Sequence, residues 1–326
     1  MGPSPLEQLA RASGREFPHL ERAREATAAG LRRRRPGLEK LEHAPDVAVV
    51  LMGSWGRHEL TSGSDDDFMI LVRGGERDRV DPSIELVQTV LDRAPGEQGI
   101  FAVPVASKQL VENIGLERDN NFNLSRRMLL LLESVYATGE EVHREVRTEL
   151  IDRYLDQSVK DFRPPRFLLN DVIRYWRTIC VDFAGKEQQG PHKWGLRNAK
   201  LRTSRKVLFA GGLLPVFECA RLQSRQMPSY LQEQFAMAPT DRIAQAFLGH
   251  QAADPGGRAL GAYDDFLGLL DDESFRAQLQ SLTRESSKRS EAFSEAARLG
   301  NELERGLSAL LFETSLYPLV RDYGIF

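Results

Sequence analysis

Apolar residues follow two rhythms along this chain. Up to about residue 120, short β-branched runs alternate with amphipathic stretches; beyond it, apolar positions recur at helical spacing with few interruptions. Residues 17–35 are charged and alanine-rich with helical spacing, and Pro36 followed by Gly37 predicts the end of that helix. The basic run 32–35 then forms its last turn, where cations complement the negative end of the helix dipole. The run 47–52, between Asp46 and Gly53, lacks polar alternation and predicts a strand buried on both faces. A polar turn over 54–64 leads to a second strand, 67–72, with Gly74 and Gly75 as its stop signal. Residues 82–93 place Ile84, Val87, Val90 and Leu91 on one helical side, and 99–106 reads as a third strand.

Farther on, helical spacing covers 124–136, 140–156, 166–184 and 196–209, with weaker segments to 316. Asn120 to Asn123 has N-cap chemistry, and breaks are expected at Pro164 with Pro165, at Gly211 with Gly212, and over 254–257. The pattern predicts an α/β (α+β) core with a small mixed sheet over 1–120, then a mainly α-helical domain over 121–326, with a cleft between them. Met128 to Leu132, Tyr175, Trp176 and Phe183 fall at core spacings.

Composition narrows the function classes without choosing one. The 326 residues are 41% hydrophobic and 28% charged, with a net charge of −3, ordinary values for a globular protein. A pI near 6.1 excludes a global basic field, so any nucleic-acid role is local. The two cysteines, Cys180 and Cys219, have no metal-ligand spacing and read as buried free thiols. The first ten residues lack a basic start with an apolar core, and no apolar run reaches membrane-spanning length, which predicts a cytoplasmic protein without a membrane partner.

Chemistry concentrates between the first two strands. Gly53 and Ser54 close the first; Gly56, Arg57, His58, Glu59 and Leu60 fill the turn; Ser64, Asp65, Asp66 and Asp67 open the second. Alternate residues of extended chain share a face, so Asp65 and Asp67 point one way and Asp66 the other. Two carboxylates so placed suit a hard cation such as Mg²⁺. A glycine lets a phosphate approach the backbone, and the Ser54 hydroxyl offers a hydrogen bond to it. His58 has no partner at ligand spacing and reads as a loop residue.

This segment resembles the DNA polymerase beta nucleotidyltransferase superfamily, whose signature is Gly-Gly or Gly-Ser, a spacer of about ten residues, then Asp-x-Asp or Asp-x-Glu. Gly56, Glu59 with Leu60, and Ser64-Asp65-x-Asp67 are most similar to the PII uridylyltransferase and glutamine synthetase adenylyltransferase branch. The resemblance is close over residues 46–73. It implies that Asp65 and Asp67 hold Mg²⁺ or Mn²⁺ as catalytic metal ligands, and that Gly53, Ser54 and Ser64 meet a nucleoside triphosphate, with ATP among the candidates. The implied reaction moves a nucleoside monophosphate to a hydroxyl of a protein, an RNA end such as tRNA, or a small molecule, releasing pyrophosphate.

The superfamily commonly adds a third carboxylate from a neighbouring strand. The strand expected at 99–106 contains no acid; Glu112, Glu117 and Asp119 follow it. The helical half supplies a basic cluster, Lys193, Arg197, Lys200, Arg202, Arg205 and Lys206. Helical spacing puts Arg197, Lys200 and Ser204 near one face, so Arg197 and Lys200 are the expected phosphate contacts. The alternative from another class is a nucleotide-binding regulatory protein without turnover. The pattern disfavours a phosphate-loop NTPase, since no GxxxxGK[ST] occurs.

Overall fold

The computed structural model describes residues 2–38, 46–74, 81–91, 93, 95, 100–117, 119–156, 159–189 and 193–324. Two helices, α1 (Pro5–Ser13) and α2 (Pro18–Leu38), precede β1 (Val47–Met52) and β2 (Phe68–Val72). Then come α3 (Asp81–Val90), β3 (Pro104–Ala106), α4 (Ser107–Glu112), α5 (Asn121–Leu132), β4 (Ser134–Thr138) and α6 (Glu140–Leu155). The rest is helical: α7 (Arg166–Gln189), α8 (Trp194–Arg202), α9 (Ser204–Glu218), α10 (Met227–Ala236), α11 (Pro239–Gly249), α12 (Ala253–Asp271), α13 (Glu273–Ser281), α14 (Arg284–Ser287), α15 (Glu291–Phe312) and α16 (Tyr317–Tyr323). No helix among the described residues is long and apolar enough to cross a membrane.

The sheet is mixed, with strand order β3-β2-β1-β4. β1 pairs antiparallel with β2 and with β4, and β3 joins β2 in parallel. Both faces are covered, which explains the unbroken apolar runs of β1 and β2. Ala48, Val50, Met52, Met69 and Leu71 face the main core, whereas Val49, Leu51, Phe68 and Ile70 face a smaller one shared with Leu31, Trp55 and Val87. The main core runs without a break from Leu6 to Leu316. α1 packs on α11 and α12, with the Leu6 amide donating to Asp241 at 3.2 Å. The change of composition near residue 120 is therefore not a gap in packing.

Several elements depart from the sequence pattern. α1 was not anticipated; its Ser4 capping box and αL Gly14 bound it locally. α2 continues through Pro36 to Leu38, because a last-turn proline forfeits only one hydrogen bond. Arg34 and Arg35 do more than complement a dipole: Arg34 is buried beside Asp66, and Arg35 lies over the Tyr136 ring. The third strand is only 104–106; Gly99, like Gly75, lies outside the described residues. The helix expected to reach 136 stops at Leu132, and Ser134–Thr138 becomes an edge strand. The segment 196–209 is two helices, broken at Thr203 (φ −124°, ψ −91°). Gly211 with Gly212, and residues 254–257, lie inside α9 and α12 rather than between helices. Gly211 meets Pro239 there and Gly212 meets Leu132, so the glycines serve helix contact. Cys219 is buried as expected, but Cys180 is only half-buried.

Candidate functional site

The turn between β1 and β2 is held on three sides. Gly53 takes φ +65°, open to glycine at no steric cost; a β-carbon there would also stand 3.1 Å from Asp67 Oδ2. Its carbonyl accepts from the Arg57 amide at 2.9 Å, and that of Ser54 from the Glu59 amide at 2.8 Å, giving a compact helical turn. Gly56 packs against the Glu133 carbonyl so closely that any side chain would collide with backbone. Leu60 donates to the buried Thr27 hydroxyl of α2 at 3.1 Å. Ser62 donates its amide to Asp271 Oδ1 at 2.7 Å and its hydroxyl to the Asp271 carbonyl at 2.9 Å, tying the turn to the end of α12.

The three aspartates separate as alternation requires. They precede β2, yet the backbone is already extended, with the Met52 amide donating to the Asp67 carbonyl at 2.9 Å. Asp65 is exposed and Asp67 half-exposed. Asp66 is 1% exposed and accepts from Trp55 Nε1 at 2.9 Å, the Arg93 amide at 3.1 Å and Arg34 Nη2 at 3.3 Å. The Arg34 guanidinium also lies over the Trp55 ring, 4.7 Å from its centroid. Asp66 thus fastens the turn to α2.

Lys200 of α8 is the expected basic residue that the fold brings to Asp65 and Asp67. Burial and the neighbouring Arg205 push its ammonium down to about 8, Asp65 pulls it up, Arg57 adds to the push and Asp67 to the pull. The Arg197 side chain, one turn earlier, forms no hydrogen bond or ion pair with a described residue and is not among the main charges that act on Lys200. Ser204 is 4% exposed and bonds Tyr263 instead of sharing a phosphate-facing surface. Ser64 departs too: its hydroxyl accepts from the Thr61 amide at 3.0 Å, and its carbonyl from Arg93 Nη1 at 2.6 Å. Ser54 is half-buried, its hydroxyl without a hydrogen bond to a described residue. His58 is a loop residue with φ 60°, its imidazole pushed below its usual value by burial and Arg24.

The sequence reading missed Glu133, the residue between α5 and β4. It is fully buried and pairs with Arg57, and with Arg205 of α9 at 3.4 Å. Arg57 donates from Nε to Glu59 at 2.7 Å, and Glu59 accepts from the Tyr263 hydroxyl at 2.6 Å. Burial works against the Arg57 charge, but Glu133 and Glu59 outweigh it and hold the guanidinium well above its ordinary value. Burial raises the Glu59 carboxyl against the opposing pull of Arg57. Tyr175 of α7, buried, has its hydroxyl raised by burial and then by Glu133, with Asp67 adding to the effect. The only sequence signal for Glu133 was its place as a polar residue directly after the apolar run 128–132.

The other acids that follow β3 lie elsewhere. Asp119 holds Arg127 through two contacts of 2.8 Å, Glu112 is exposed beside Lys108, and Glu117 is exposed. Among the described residues, no three His, Cys, Asp or Glu side chains converge as a metal-binding group. Comparison with protein-family models, with curated proteins and with solved structures gave no match.

Proposed function

We propose that the chain is a metal-dependent nucleotidyltransferase. The observation that carries the reading is the separation of the aspartates: Asp66 is buried in the fold, while Asp65 is exposed and Asp67 half-exposed beside a positive-φ glycine and near Lys200. Two solvent-reachable carboxylates on one side of extended chain fit Mg²⁺ or Mn²⁺, which are commonly held by one or two acids together with waters and substrate phosphates. Bound there, such an ion would neutralise phosphate charge and lower the pKa of an acceptor hydroxyl.

The chain's own residues then have definite tasks. Gly53 and Ser54 admit and bond the phosphates at the turn, Lys200 faces them from α8, and Tyr175 and Glu133 close the floor away from water. The acceptor oxygen forms a bond to the α-phosphorus as the bond to the bridging oxygen breaks. Pyrophosphate leaves with that electron pair, and the hydroxyl proton passes to solvent. The acceptor is a hydroxyl of a protein, an RNA end such as tRNA, or a small molecule.

A second reading, nucleotide binding without turnover, has one observation in its favour. Glu133, the further acid near the pair, is locked between Arg57 and Arg205 and so is no free base. Incubation with α-labelled nucleoside triphosphates, Mg²⁺ and separate protein and tRNA pools distinguishes the two. Transfer expects label in one pool, matched by pyrophosphate and lost in Asp65→Asn and Asp67→Asn; bound but unaltered nucleotide supports the second reading.

A further inference from the structure

We infer that Arg205, seated on the buried Glu133, is the arm of the helical half that grips the polyphosphate tail, while Arg57 stays with Glu133 as its fixed anchor. The inference rests on the nucleotidyltransferase reading and deepens it, because it assigns the tail to a residue on α9 instead of to Arg197.

Elimination within the basic cluster leads there first. Lys206 is held by Glu304 at 2.5 Å, and Arg202 by Asn198 at 2.8 Å and Asn301 at 3.3 Å. Of the remaining members, Arg205 is the one with an ion pair among the described residues to Glu133, whose carbonyl abuts Gly56 of the turn. Arg205 is also the charge that depresses Lys200 most.

The two arginines on Glu133 are unequal. Arg57 is saturated between two buried carboxylates, with its side chain 10% exposed. Among the described residues, Arg205 makes one side-chain ion pair, to Glu133 Oε1 at 3.4 Å, and its side chain is 38% exposed. A guanidinium has five N–H donors in a fixed fork, so this single ion pair leaves most of the donors of Arg205 for a ligand. Two cations that repel each other at the rim of a carboxylate pair are relieved by a polyanion, which bidentate guanidinium geometry suits. Glu133 cannot wander: its carbonyl abuts Gly56, and Arg242 caps the preceding carbonyl of Leu132. Glu133 is thus a positioning residue, acting through Arg205.

Calorimetry of the full chain with sodium tripolyphosphate in EDTA reads the arm without metal or turnover. Arg205→Ala is expected to weaken binding by about tenfold or more, the worth of a charge-assisted contact. Arg205→Lys restores part of the loss, and Glu133→Gln, which keeps the shape but frees the arm, weakens binding less than Arg205→Ala. If Glu133→Gln fails to fold by circular dichroism, the two Arg205 variants decide. Wild-type affinity in Arg205→Ala, with Mg²⁺-dependent nucleotide binding still lost in Asp65→Asn, overturns this inference and leaves the proposed function standing. A wild-type chain that binds neither tripolyphosphate nor Mg²⁺-nucleotide overturns both.

Discussion

Three consecutive aspartates have the same chemistry and different fates because the backbone turns each to a different environment. Asp66 neutralises Arg34 inside the small core, and removing one partner of a buried pair strands the other charge. Asp66→Asn is therefore expected to cost about 3 kcal/mol in urea unfolding, whereas the exposed Asp65→Asn stays within about 0.5 kcal/mol of wild type. Equal losses in the two variants would show that the aspartates are not divided this way. The division was legible in the sequence, since it needs only alternate side chains on extended chain. What Ser64 and Arg197 do was not legible. The Ser64 hydroxyl is claimed by a turn that closes three residues back, and nothing in the helical spacing of 196–209 marks the break at Thr203.

Among elements, β4 and the break at Thr203 are where periodicity misled. The apolar run of α5 passes into β4 with one intervening residue and no glycine or proline, so a 3.6-residue pattern runs on unpunctuated. Tertiary bonds end the helix instead: Arg242 takes the Leu132 carbonyl, and Glu133 turns toward Arg57. β1, β2 and α6 were legible because their signals are local, namely a continuous apolar run or a glycine before a first turn rich in glutamate. The β4–α6 unit also sets an acid sensitivity. His143, 2.8 Å from the Ser134 hydroxyl, is pushed down to about 3 by burial and by Arg147. Between about 3 and the ordinary 6.5 the unfolded chain binds a proton that the native chain refuses, so stability is lost as pH falls through that window. His143→Gln is expected to flatten the unfolding free energy against pH from 6.5 downward, and an unchanged slope would contradict the assignment.

At the scale of the whole molecule, the candidate site belongs to neither half alone. The turn after β1 brings Asp65, Asp67 and Arg57, the helices bring Lys200, Arg205 and Tyr175, and the junction of α5 with β4 brings Glu133. The sequence singled out Asp65 and Asp67 of the first set because their spacing is local, and gave Arg57 no role. It located only Lys200 of the second, since residues separated by some seventy positions meet through packing that no local pattern encodes. Packing also explains why the turn is anchored to α2 and α12 at once: a site built across two halves keeps its geometry only if both halves hold the same loop. The central claim is that Asp65 and Asp67 form a metal-dependent nucleotide site on this frame. Calorimetric titration of the full chain with each nucleoside triphosphate, in Mg²⁺ and again in EDTA, tests it most directly. The account predicts binding that requires Mg²⁺ and disappears in Asp65→Asn and Asp67→Asn chains of wild-type stability; Mg²⁺-dependent binding that survives both substitutions, or no binding by the wild-type chain, would contradict it.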